Sequence, residues 1–228
     1  MTTENGTAQE ETRVEEPPTV VRRLESADAA TLVGLVETFE DLQMVLRCCE
    51  RLMVELGAPG QSGVAPVRLA PVDAVVVEAV WTLALLSYAR CFSTGQGGTA
   101  LTEEDLTTAQ PPTNATPPSQ TGGDVLDWHK VMLRLRDHHA DPDVNPRERF
   151  SVGVAQAADG SPGGVAITSA KQPLVDVVAV RQTGAVAYAL SALVNERIET
   201  QQSVVFAAVQ GTTAAELDKL DRLDVSTG

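Results

Sequence analysis

Eight apolar residues, Leu32, Leu35, Phe39, Leu42, Leu46, Cys49, Met53 and Leu56, recur at alternating spacings of three and four. That is an a/d stripe over nearly four heptads, which only a long helix places on one side. Ser26 or Asp28 supplies an N-cap, and Gly57 with Pro59 ends the pattern. The stripe predicts either a core helix of a bundle or a seam between two copies. The bundle is favoured because coiled coils are uncommon among domains of this size.

The rest of the chain predicts a mainly α fold, a helical bundle with a small β-hairpin. Residues 72–92 are apolar on every side, as in a helix at the middle of a core. Residues 124–140 predict a third helix with Val125, Trp128, Val131, Met132 and Leu135 on its apolar face, stopped by Pro142. A long apolar stretch at 173–210 predicts another helix with Gly184 as a kink, and a short helix follows near 213–223. Alternation over 150–155 and 164–168 around Asp159-Gly160-Ser161-Pro162 predicts a hairpin. Two strands alone are marginal, so the hairpin is expected to pack on the helices.

These elements form one helical domain over 27–223, with the hairpin at 150–168. Residues 1–26, with Glu10, Glu11, Glu15 and Glu16 and few apolar side chains, read as a disordered acidic tail. Residues 94–123, with paired prolines and glycines and eight Thr, read as a flexible insertion. A short tail closes the chain at 224–228.

Composition limits the partners. The net charge is -14 over 228 residues, a field that repels phosphate backbones, so RNA is disfavoured except at a local basic patch. Aromatic residues are only 4% of the chain, so the core is built from Val, Leu and Ala. The N-terminus lacks a basic-then-apolar leader, and Glu78 interrupts the longest apolar run, so a cytoplasmic protein with no membrane partner is expected. Cys48, Cys49 and Cys91 are an odd set with no CxxC spacing and read as reduced core thiols.

The one basic cluster is Arg134-Leu135-Arg136-Asp137-His138-His139, with Lys130, Arg147 and Arg149 nearby. Two Arg beside a His suit phosphate binding and proton transfer, although a solvated helix face has the same pattern. Asp141-Pro142-Asp143-Val144-Asn145 opens like a calcium loop, but Pro146 and Val152 stand where that loop needs Gly and Glu. No metal and no cofactor are expected.

Ser87-Tyr88-Ala89-Arg90-Cys91-Phe92, then Trp128-His129, Leu135-Arg136-Asp137-His138-His139 and Val144-Asn145-Pro146, resembles uncharacterised bacterial proteins of the HEPN superfamily. The resemblance covers about 72–153. It implies a helical bundle, often dimeric, related to abortive-infection and toxin proteins. In active members an Arg, a polar neighbour and a nearby His form a metal-independent RNA-cleaving site, usually across the dimer. Carried over, Arg136 and His139 are the catalytic pair, with Asp137 as the polar neighbour and Arg90 and Arg134 contacting nucleic acid. The family places the His near 141–142, where this chain has Asp141-Pro142. Arg134 with His139 gives the looser Arg-x4-His spacing.

Three readings follow. The first is a HEPN-like protein with a degenerate RNase motif, acting through protein contacts, in phage defence. The second is an active RNase using Arg134 or Arg136 with His139. The third is a non-enzymatic structural or scaffolding protein, bacterial or phage, oligomerising through the first helix. The expected partner is a second copy or another protein.

Overall fold

The computed structural model describes residues 20–57, 72–93, 99–109 and 125–223. Most of the expected N-terminal tail and parts of the expected insertion lie outside them.

In chain order the elements are β1 (Val21–Arg22), α1 (Ala27–Glu55), α2 (Ala74–Cys91), α3 (Glu103–Thr108), α4 (Val125–Ala140), β2 (Glu148–Gln156), β3 (Pro162–Lys171), α5 (Val177–Val209), α6 (Ala214–Leu217) and β4 (Arg222–Leu223). The fold is mainly α. The helices start where short polar side chains meet bare backbone N–H groups. Ser26 Oγ accepts from Ala29 N at 3.1 Å, and Asp176 Oδ1 accepts from Ala179 N at 2.7 Å. Asp73 accepts from Val75 N and Val76 N.

α1 packs on α5 and α2, and α4 packs on α2. All eight stripe residues of α1 are buried or packed against the core. The stripe therefore faces α5 and α2 within the chain, as in a core helix of a bundle. The core itself is Leu, Val and Ala, with Leu42, Val45, Val77, Ala84, Val180, Ala187 and Leu190 wholly buried.

Gly184 does not kink α5, which runs unbroken from Val177 to Val209. Its role is proximity: a Cβ placed there would sit 3.5 Å from Cys49 Cβ on α1. Both α2 and α5 are long and apolar enough to cross a membrane, and 44% of the apolar stretch of each is buried in the bundle.

Two expected flexible segments carry structure. Within 94–123, residues 99–109 hold α3, opened by a capping box between Thr102 and Asp105. Leu101 and Leu106 reach the core, and Leu101 N donates to Cys91 O at 2.8 Å. Asp105 pairs with Arg197 of α5. Within 1–26, β1 pairs antiparallel with β4, Val21 opposite Leu223. Arg22 adds contacts to Leu220 O at 3.0 Å and Asp218 at 2.8 Å.

The hairpin is where expected, with Glu148 opposite Lys171 and Val154 opposite Val165. It does not pack on the helices. Every β2 and β3 residue except Glu148 and Ala166 is exposed. Alternation places Phe150, Val152, Val154, Val165 and Ile167 on one face of this arm, and each is 57% to 75% exposed. The expectation that the helices cover it fails because the bundle's inward faces are already occupied by one another.

Candidate functional site

A cleft of about 600 Å³ opens at the root of the arm. Its walls are the start of α2, one face of α4 from Trp128 to His139, Pro146 and Arg147 before β2, and Lys171 of β3 with residues 172–176 after it. Trp81, Trp128, Val131, Leu135 and Leu174 make it apolar. Positions 128, 131, 135, 138 and 139 follow helical spacing, so the apolar face of α4 delivers His138 and His139 to the same cleft. Trp128 is fixed by its Nε1, which donates to Thr183 Oγ1 at 3.3 Å.

The polar groups gather at the rim. Arg147 Nε donates to Glu78 Oε1 at 2.5 Å. His139 lies beside that pair, and its pKa is pushed below the ordinary value, first by burial and then by His138 and Arg147, with Glu78 opposing. His139 is thus neutral near pH 7. His138 Nε2 is buried without a hydrogen-bond partner. The rim accordingly presents a neutral imidazole beside a closed ion pair, a weak cradle for a phosphate.

Of the expected catalytic and RNA-binding residues, Arg136 and His139 are neighbours three positions apart on α4, while Arg90 lies away from them. Arg136 Nε is 2.7 Å from the carboxylate of its neighbour Asp137 and lacks an aligned hydrogen bond. Arg134 folds back to its own helix, donating to Lys130 O at 3.2 Å. At about 100° per residue, Arg134 and Arg136 flank the apolar stripe on opposite sides. Arg90 is held by Asp41 of α1, with Nε 2.9 Å from Oδ2. It borders a second groove of about 770 Å³ between α1 and α2, whose rim carries Glu37, Glu40 and Asp41.

The separation follows from helix direction. Tyr88, late in α2, meets His129, early in α4, while Glu78, early in α2, meets the cleft end of α4. The two helices are antiparallel, so Arg90 sits roughly 18 Å along α2 from Glu78, at about 1.5 Å per residue. The single pocket implied by the resemblance is not assembled in one chain.

Other candidate residues take structural roles. His129 is a core residue, 4% exposed, with Nδ1 3.0 Å from Tyr88 Oη and its ring 4.3 Å from that of Phe92. Asp141 and Asn145 are turn formers, accepting from Asp143 N and Arg147 N at 2.9 Å each. Among the described residues, no group of three or more His, Cys, Asp or Glu is placed to hold a metal ion. Cys48, Cys49 and Cys91 are free and buried. Sequence reasoning missed the exposed apolar arm and the cleft at its root. The signal for the arm was its alternation, which was assigned to a covered face.

Comparison with known proteins gives no match among family models, curated proteins or solved structures.

Proposed function

We propose that this protein is a non-enzymatic binding subunit, a helical body that offers a β-hairpin arm and an apolar cleft to a protein partner. The observation that carries this reading is the uncovered face of Phe150, Val152, Val154, Val165 and Ile167. Covering a side chain of this kind is worth about 1.5–3 kcal/mol. Contiguous exposed apolar surface of this sort marks interaction sites. The reading keeps the protein-contact role expected of a degenerate HEPN-like chain and gives up the cationic pocket. Arg90, Arg134 and Arg136 are each engaged by a neighbour within the chain.

Two measurements test it. A photo-crosslinker at Val152 is expected to give discrete protein adducts in cells, and the same group at the exposed Ser203 is expected to give none. Purified protein with RNA in chelator is expected to leave the RNA intact. RNA cleavage that disappears in both Arg136→Ala and His139→Ala would establish the nuclease reading and sink this one.

A further inference from the structure

We propose that the cleft at the root of the arm binds a small molecule, a flat aromatic compound of no net charge, held against Trp81 and Trp128 with one polar group on His139. This goes beyond the binding-subunit reading, which the arm's face carries. None of Phe150, Val152, Val154, Val165 and Ile167 lines the cleft, so a ligand there leaves that face open.

Size and lining point to a small ligand. The cleft measures about 600 Å³, within the roughly 300–1,000 Å³ of small-molecule sites, which are apolar with a few placed polar groups. The chain has two tryptophans, Trp81 on α2 and Trp128 on α4, and both line this cleft. Aromatic residues are only 4% of the sequence, so both of its largest rings are spent on one surface. Indole faces favour a planar aromatic partner over a branched aliphatic one. The Trp128 ring is already oriented by its bond to Thr183 Oγ1 at 3.3 Å, so it need not be ordered when a ligand arrives.

Charge decides against an ion. Besides the two histidines, the lining carries Glu78 and Asp176 against Arg147 and Lys171, which cancel. A cation is drawn in by the net charge of -14, but both carboxylates of the cleft are engaged. Arg147 Nε donates to Glu78 at 2.5 Å, and Asp176 accepts from Ala179 N at 2.7 Å. An anion finds Lys171 but enters against the field of the whole chain, and a phosphorylated ligand most of all.

Hydrogen bonding supplies the anchor. His139 meets the ring of His138 edge-on, and among the described residues no hydrogen bond commits its nitrogens. Burial holds it neutral, so it offers one donor and one acceptor without charge. That matches a heteroaromatic nitrogen, a hydroxyl or a carbonyl on the ligand.

The test reads the two indole N–H signals by NMR in the full chain, isotopically labelled at tryptophan. Both signals come from the cleft. The probes are quinoline, which is neutral at pH 7.5, its cation N-methylquinolinium, and naphthoate as the anion. Quinoline is expected to shift both signals and to half-saturate on the order of 1 mM, as suits its few atoms. Each ion is expected to bind roughly 10-fold more weakly. Leu174→Glu places a carboxylate on the apolar wall and is expected to weaken quinoline by roughly 10-fold. Leu174 is exposed, so helicity by circular dichroism is expected to stay unchanged. His139→Phe keeps a ring, removes the hydrogen bond and is expected to weaken quinoline by roughly 2–12-fold. No saturable shift up to about 10 mM overturns the proposal, since a site for such a ligand saturates by then. An ion that binds as tightly as quinoline overturns it too, as does quinoline binding indifferent to either variant. A failed Val152 crosslink sinks the binding-subunit reading and leaves this one, and a silent titration does the reverse.

Discussion

Tyr88 Oη and His129 Nδ1 meet at 3.0 Å in the buried seam between α2 and α4. Burial pushes the His129 pKa below its ordinary 6.5, so the imidazole is neutral in the folded chain. A group whose folded pKa is depressed takes up its proton more readily in the unfolded state. Stability is therefore expected to be full above about pH 6.5 and to fall as the pH drops below it. His139, also depressed, acts in the same direction. Denaturant titrations at stepped pH check this, and the slope is expected to shrink in a Tyr88→Phe/His129→Leu double variant.

The same pair gives a coupling prediction. Tyr88→Phe strands a buried imidazole nitrogen and is expected to cost about 1–3 kcal/mol. Removing both polar partners together leaves nothing unsatisfied. The double variant is expected to lose less than the two single losses added, as read from a double-mutant cycle in urea.

Gly184 separates size from flexibility. A methyl there lands 3.5 Å from Cys49 Cβ, an ordinary contact. Gly184→Ala gains helix propensity and is expected to raise stability by up to about 1 kcal/mol. Gly184→Leu has to part α1 from α5 and is expected to lower it by about 1–3 kcal/mol. Thermal melts of the two variants should move in opposite directions.

Asp105 closes the cap of α3 by accepting from Thr102 N at 2.8 Å and joins that helix to α5 by pairing with Arg197. Burial raises the Asp105 pKa, but Arg197 and Thr102 together bring it below the ordinary value. Asp105→Ala removes the carboxylate's hydrogen bonds to Thr102 and is expected to cost about 1.5–3 kcal/mol. Hydrogen exchange is expected to speed up over 101–109 first.

Burial pushes the thiols of Cys49 and Cys91 up to about 12, and that of Cys48 upward. The reactive thiolate is scarce at neutral pH. Native protein is expected to react slowly with a thiol reagent, and all three cysteines to react fully in denaturant.

Much of the fold was legible because it is written in local patterns. The α1 stripe, the Ser26 cap, the stop before Pro142 and the presence of the hairpin are all short-range signals. α3 was equally readable, since Thr102-x-x-Asp105 is a capping box and Leu101 and Leu106 bracket it. The surrounding Pro and Gly residues outweighed it. The site was not legible, because it depends on helix direction. Arg90 and His139 share a pocket if α2 and α4 run parallel and are separated if they do not. Nothing local distinguishes the two. The arm's alternation showed one apolar face, but whether the bundle has a vacant surface for it is a property of the whole packing.

The pairing of α1 with α5 sets a timetable for synthesis. About 150 residues separate the end of α1 from the end of α5. At about 5–20 residues per second, the ribosome takes roughly 8–30 s to deliver them. For that interval the greasy side of α1 waits in water without its main companion, long enough for trigger-type chaperones to engage a nascent chain. A cell that makes this protein quickly should therefore depend on such helpers more than its modest size suggests.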